Sequence, residues 1–307
     1  MPTSFSRGDL VALAHTSIAR GSRSFALASQ LFDTVSRERA QLLYYWCRAC
    51  DDLADGQDAG GELSAVTDAP VRLARMRALT DAALAGQATG EPPFDALGLV
   101  AAECGIPPEL PHDVLDGFAL DADAFRPHTE DGLYRYCYHV AGAVGRMMAL
   151  VMGVAPNDVD TLNRATDLGL AFQLANIARD LAEDDRGGRC YVPLTWLDEL
   201  GVDRMSRDLA APVGARLADL AERYEASAGV GAARLPFRSR WAVLAAAGIY
   251  GDIAREVRRR GAGAWDSRVV TSSRAKSAWV GRAWWQARRN NPQDSGRAGL
   301  WTLPPRR

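Results

Sequence analysis

From Asp158 to Asp185 the chain reads DVDTLNRATDLGLAFQLANIARDLAEDD. Leu170, Leu174, Ile177 and Leu181 recur at three- and four-residue steps, the period of an α-helix with one buried face. Ala, Leu and Arg dominate, and all three favour helix. The spacing predicts a helix over Asp158–Glu183, and Gly187-Gly188 followed by Pro193 predicts an abrupt exit across Arg186–Pro193. The same period extends outward to Leu10–Leu31, Ser36–Ala54, Val71–Ala85, Asp131–Val154, Gly214–Val230 and Arg238–Arg260. No β-branched run alternates convincingly, and no strand leads into a Gly-rich turn and a helix. The chain therefore reads as all-α. Gly56–Pro70 reads as a loop, and Gly90–Pro93, Gly105–Pro111 and Ala155–Asn157 as turns. None of these breaks resembles an interdomain linker, so residues 1–289 are expected to form one domain and 290–307 a loose tail.

Composition narrows the function classes. A chain of 307 residues with 48% hydrophobic and 24% charged residues is ordinary globular protein. Thirty-six Lys and Arg against 38 Asp and Glu leave a net charge of −2, so no global field recruits nucleic acid. Asp9 and Arg20 interrupt the early apolar residues, and no secretory leader is expected. Ala141–Val154 and Trp241–Tyr250 are too short to span a bilayer. Five cysteines in a chain this long fit a reducing cytoplasm better than a disulfide framework.

Two helix ends carry the chemistry. In the predicted helix over Ser36–Ala54, Tyr44, Arg48, Asp51 and Asp55 fall within roughly 60° of one face, with Asp52 to the side. In the helix over Asp158–Glu183, Gln173, Asn176, Asp180 and Asp184 fall within roughly 80° of one face. An isolated Asp-x-x-x-Asp is ordinarily a solvated helix end. Here each acid face continues into Tyr44 or Gln173, on helices otherwise apolar, and each precedes a Gly-rich loop. Aspartates one turn apart at a helix C-terminal end repel each other and oppose the helix dipole. Two such faces turned toward each other make an oxygen-lined site for a hard cation such as Mg²⁺, which characteristically bridges carboxylates to a diphosphate. Asp51→Asn or Asp180→Asn is expected to relieve repulsion and leave folding unchanged or slightly improved.

Three blocks, Tyr44–Asp55, Tyr136–Gly145 and Gly169–Pro193, resemble the signatures of the squalene/phytoene synthase family. The stretches Ile249–Ile253 and Ala264–Val269 are similar to the bacterial phytoene-forming branch in particular. The resemblance implies a single-domain isoprenoid-synthase-type helical bundle around a central cavity. It implies Mg²⁺, with Mn²⁺ as the alternative ion, held by Asp51, Asp52, Asp55, Asn176, Asp180 and Asp184. It assigns Arg48, Arg179, Arg268, Tyr44, Tyr250, Gln173 and Asn176 to the diphosphates, Ser24 and Phe25 to substrate contact, and Tyr136 to the reacting carbons. The implied reaction joins two geranylgeranyl diphosphates head to head through a cyclopropyl diphosphate and ends in phytoene, the first committed step toward carotenoids. No nicotinamide is expected. Squalene or dehydrosqualene synthesis from farnesyl diphosphate is the alternative, decided by chamber depth. A non-catalytic helical assembly factor is the remote one, and the intact aspartates speak against it. Contact with downstream carotenoid enzymes follows as an expected partnership.

Other signals are weaker. Cys47-x-x-Cys50 lies inside a helix with no second pair, and reads as packing thiols rather than a zinc site. The four histidines show no ligand spacing, and Asp113, Asp116, Asp121 and Asp123 read as a solvated face. Gly142, Gly145, Met147, Gly169 and Phe172 are candidates to line a prenyl chamber. The C-terminal third combines Arg255, Arg258–Arg260, Arg274, Lys276, Arg282, Arg288 and Arg289 with Trp279, Trp284 and Trp285. That mixture suits peripheral association with an anionic membrane surface.

Overall fold

The computed structural model describes residues 5–21, 23–55, 69–291 and 296–304, with the side chains of 19–24 and 55 outside that description. Among the described residues there is no strand. The described residues form thirteen α-helices: α1 (Arg7–Gly21), α2 (Arg23–Ser29), α3 (Thr34–Asp55), α4 (Ala69–Leu84), α5 (Pro92–Cys104), α6 (Glu109–Ala122), α7 (Glu130–Cys137), α8 (Ala143–Val151), α9 (Val159–Arg186), α10 (Leu194–Glu199), α11 (Arg207–Ala232), α12 (Phe237–Arg260) and α13 (Ser273–Arg289).

Helix α9 is the axis of the bundle, packed by α8, α11 and α12. Asp158 starts it by accepting the backbone N–H of Thr161 at 3.1 Å and the Thr161 hydroxyl at 2.7 Å. Gly188 ends it in the left-handed region, at φ +73°. Small residues set how closely the neighbouring helices approach. A Cβ on Gly145 of α8 would overlap the Ala165 carbonyl, and one on Gly169 of α9 would overlap the Ala141 carbonyl. These two glycines are thus required by backbone contact as well as by the cavity they border.

Several elements differ from the sequence expectation. The helix predicted over Leu10–Leu31 is two helices, α1 and α2. The one predicted over Asp131–Val154 is interrupted by a π-helical turn at Tyr138–Gly142. The wider turn lets two tyrosines reach the same neighbour: Tyr136 and Tyr138 both donate their hydroxyls to aspartates of α6. Helices α5, α6, α10 and α13 have no counterpart in the sequence reading. The predicted loop over Gly56–Pro70 falls almost entirely outside the described residues.

The tail is not loose where it is described. Leu300, Trp301 and Leu303 pack against the core. Trp301 lies 5.9 Å from the Tyr138 ring and donates its indole N–H to Asp131 at 2.8 Å. Arg297 grips both oxygens of the fully buried Asp167, at 2.7 and 2.8 Å. Periodicity cannot reveal such a strap, because single residues anchor it. No described helix is long and apolar enough to cross a membrane.

Candidate active site

Inside the bundle lies a cavity of about 820 Å³, walled by side chains of α2, α3, α4, α6, α8, α9, α11 and α12. Most of its lining is aliphatic or aromatic. At one end polar groups converge: Tyr44 and Asp51 from α3, Asp121 from α6, Gln173 and Asn176 from α9, Arg189 from the loop after α9, and Tyr250 from α12. Of the proposed chamber residues, Gly145, Gly169 and Phe172 line the cavity. Met147 is instead wholly buried in the core. Gly142 packs against Leu170, Tyr138 and Thr166.

The aromatic residues are locked in pairs. Phe25 stacks on Tyr44 at 4.7 Å, and Phe172 stacks on Tyr250 at 4.4 Å. Burial pushes the Tyr44 phenol up to about 12, opposed by the nearby Arg48. Tyr250 lies within electrostatic reach of Tyr44 on α3 and of Arg179 on α9.

On α3, Asp51 is exposed toward this end of the cavity. Asp52 accepts from Arg48 at 2.6 Å, an i,i+4 pair. The side chains of Asp55 and Ser24 lie outside the described residues. On α9, Asn176 lines the cavity; Asp180 and Asp184 follow one and two turns on, outside its lining, with Asp184 in electrostatic reach of the lining residues Asp121 and Arg189. Arg179 holds Asp180 by both oxygens, at 2.8 and 2.5 Å. Arg268 approaches Asp180 at 3.5 Å and pairs with Glu183 at 2.7 Å. The arginines assigned to diphosphate thus rest on carboxylates of the same site. Asp184 is partly buried, and its carboxyl is raised to about 6. Desolvation is the main cause, followed by the charge of Asp180, while Arg189 pulls the other way and Glu183 and Asp121 add further repulsion. Several carboxylates crowded around one that resists ionisation are a donor set that suits a hard divalent cation.

The sequence reading missed one cluster. Asp121 reads in the sequence as part of a solvated run, yet it accepts the hydroxyls of Tyr136 and Tyr191, both at 2.9 Å and on the same oxygen. The two rings stack at 4.6 Å. Burial drives both phenols up, Tyr191 to about 12 and Tyr136 further, so both remain protonated donors. Arg189 lies within reach of Tyr191, Asp121 and Asp184. The available signal was position: Arg189 and Tyr191 directly follow the Gly187-Gly188 turn that ends the acid face.

Asp113, Asp116 and His139 also bring ligand atoms within 4.8 Å of one another. Asp113 accepts the Tyr138 hydroxyl at 2.5 Å and its carbonyl meets His139 Nδ1 at 2.9 Å, while Asp116 pairs with Arg77 at 2.7 Å. Those bonds tie α6 to the π-helical turn and to α4.

A helical bundle around one deep apolar cavity, with carboxylates and arginines gathered at its polar end, has the isoprenoid-synthase fold. The chain superimposes on a dehydrosqualene synthase crystallised with a ligand (TM-score 0.80, 25% identity, 92% of this chain and 98% of that one). It shares its fold with a squalene synthase from Alicyclobacillus acidocaldarius (TM-score 0.72, 22% identity, 85% and 97%). In sequence it is 45% identical to a 15-cis-phytoene synthase of Paracoccus sp. over 96% of this chain and 98% of the relative. It is 44% identical to a phytoene synthase of Pseudescherichia vulneris over 95% and 97%. The sequence pattern of the squalene/phytoene synthase family matches residues 18–276, and the chain belongs to that family of prenyltransferase-type enzymes.

Proposed function

We propose that this chain condenses two molecules of geranylgeranyl diphosphate into phytoene. The observation that carries the reading is the convergence of Asp51, Asn176 and Asp121 at one end of an otherwise mainly apolar cavity. The near full-length similarity to phytoene synthases favours this product over squalene or dehydrosqualene. In the first half, one C1–O bond breaks, diphosphate leaves, and the allylic cation alkylates the double bond of the second molecule. Loss of a proton closes a cyclopropyl diphosphate. In the second half, the remaining diphosphate leaves, the cation rearranges to a 1-1′ skeleton, and loss of a second proton gives the central double bond. Two diphosphates and two protons depart, and no reductant is consumed.

The residues divide that work. Asp51, Asp180 and Asp184, with Asn176, would hold the divalent ion, Mg²⁺ by the chemistry of its donors. Bound there, the ion would neutralise the departing diphosphate. Arg48, Arg179, Arg189 and Arg268 supply guanidinium groups to the same anion. The apolar walls exclude water from the cation. Tyr136 and Tyr191 are buried behind the cavity wall rather than on it, so they act through Asp121, which borders the cavity and accepts both of their hydroxyls.

Purified protein incubated with Mg²⁺ and radiolabelled geranylgeranyl or farnesyl diphosphate tests the reading. Phytoene from the twenty-carbon substrate is expected; a thirty-carbon product alone, or none, rejects it. Asp121→Asn should lower turnover by about tenfold to a hundredfold, because a charge-assisted acceptor of two hydroxyls becomes neutral. Tyr136→Phe should let the cyclopropyl diphosphate accumulate, with substrate binding nearly unchanged. Unaltered product ratios in both variants would remove this cluster from the chemistry.

Association with an anionic membrane is the second part of the proposal. Helix α13 carries Arg274, Lys276, Arg282, Arg288 and Arg289 and no acidic residue. Trp279 is turned inward, its indole N–H on Asp252 at 2.6 Å. Trp284 and Trp285 are 39% and 50% exposed, with the Arg288 and Arg289 guanidinium groups 4.6 and 3.4 Å from their rings. Phe237 is exposed nearby, across a groove shared with Arg240 and Arg288. Cationic, tryptophan-bearing surface of this kind suits the headgroup layer. In flotation, the protein should rise with vesicles containing phosphatidylglycerol and much less with neutral ones. High salt or the double change Trp284→Ala/Trp285→Ala should release it. Equal recovery from neutral vesicles, or none from either, rejects the surface.

A further inference from the structure

We infer that Arg164 is the gauge that limits prenyl chain length in this enzyme. The inference rests on the proposed prenyl-diphosphate reading of the cavity and adds the residue that measures the substrate. Helix α9 borders the cavity through Thr161, Arg164, Ala165, Leu168, Phe172 and Asn176. Asn176 marks the polar end. Arg164 lies twelve residues back along the helix, about 18 Å at 1.5 Å per residue. One extended isoprene unit is about as long as one helical turn, about 5 Å. A geranylgeranyl group, with four units, therefore reaches the level of Arg164, and a farnesyl group, with three, falls short of it.

An arginine at the far end of an apolar chamber is costly unless it is fully partnered. Arg164 is only 6% exposed, and its guanidinium is held from several sides. Nε donates to Asp160 at 3.1 Å, and Nη1 donates to both the hydroxyl and the carbonyl of Ser227 at 3.2 Å. Ser227 in turn donates to Asp167 at 2.6 Å, and Asp167 is clamped by Arg297. The head group cannot swing aside to admit a longer chain without breaking this network. The stem of the arginine lies across Gly231 of α11, where an added Cβ would meet the Arg164 Cβ at 2.7 Å. A long, rigidly tethered side chain seated over a glycine forms a floor of fixed height. Leu235 borders the same end from the turn after α11.

A residue that merely ties α9 to α11 would, when removed, depress turnover of all substrates alike. A gauge changes their ratio. The experiment measures kcat/KM with Mg²⁺ for prenyl diphosphates of fifteen, twenty and twenty-five carbons. Wild type should favour twenty. Arg164→Ala should raise the ratio of twenty-five to twenty by about tenfold or more, the scale on which pockets discriminate added methylenes. Arg164→Met, which keeps most of the stem but loses the tether, should raise that ratio by less than Arg164→Ala does. Leu235→Ala opens the same end without touching the ion pairs and should shift the ratio in the same direction; it decides the matter if Arg164→Ala fails to fold. An unchanged ratio in Arg164→Ala and Leu235→Ala, with wild type active on the twenty-carbon substrate, overturns the gauge alone. A wild type that turns over none of the three overturns the proposed function, and the gauge with it.

Discussion

Asp184→Asn will be more stable than wild type in the absence of divalent metal and about a hundredfold or more less active in its presence, a loss on the order of 3 kcal/mol in the transition state. The stability gain follows from the sign of the shift. The Asp184 carboxyl is raised in the folded protein to about 6, above its ordinary value of 3.8. Between those two values the folded state binds the proton that the unfolded state has released. Stability attributable to this group is fully present below pH 3.8 and is lost as the pH rises through about 6. At neutral pH the ionised carboxylate is a liability that asparagine removes. The melting temperatures of wild type and variant should therefore diverge between about pH 4 and 6.5 without metal. Saturating Mg²⁺ should narrow or reverse the gap, because only wild type retains the full ligand set. Asp180→Asn separates the two effects. It should lose activity to a similar degree, yet it should also lose stability, because Arg179 grips both oxygens of Asp180 in a largely buried pair. That one neighbour makes the expected sign opposite to the one repulsion alone predicts for Asp180→Asn. Thermal scans with and without metal, paired with product assays, check both signs; an Asp184→Asn protein that melts below wild type without metal refutes the repulsion account.

That reversal shows where the sequence stops being legible. The aspartates of α3 and α9 could be read because helical period alone places them on a face, and faces are local. Helices α9, α11 and α12 were readable for the same reason, their apolar stripes being long. Helices α5 and α6 were missed because Pro92, Pro93, Pro108 and Pro111 look like loop punctuation, although proline is tolerated in a first helical turn. The π-helical turn at Tyr138–Gly142 is not legible in the local sequence, whose helical period runs on unbroken; what accompanies it is tertiary, the hydroxyls of Tyr136 and Tyr138 meeting one opposing helix. Asp121 was misjudged on the same account. Nothing within its own segment distinguishes it from Asp123; what distinguishes it are Tyr136 and Tyr191, 15 and 70 residues away. Partners at such separations are written in the packing, and one sequence without that packing shows only the candidates.

Arg297→Ala should cost about 3–5 kcal/mol, the range for breaking a buried pair while leaving the other charge in place. Asp167 is 0% exposed, and Arg297 contributes two of its short bonds. Ser227 supplies a third, which cannot neutralise the carboxylate. Without Arg297 the charge remains inside the bundle between α9 and α11, and the melting temperature should fall on the order of 10 °C. Asp167→Asn in the same background should recover part of the loss, because the stranded charge is gone. That coupling in a double-mutant cycle separates the ion pair from general damage to the tail. A loss below about 1 kcal/mol for Arg297→Ala would mean that the strap does not bear on the fold. The consequence extends to the cavity. Asp167 holds the Ser227 hydroxyl to which Arg164 donates, so loosening Arg297 loosens the distal floor. Trp301, four residues after Arg297, leans on Tyr138 in the turn that directly follows the Tyr136 helix. A C-terminal segment with no periodicity of its own thus bears on both ends of the chamber, and its weakening should broaden chain-length selectivity before it abolishes turnover.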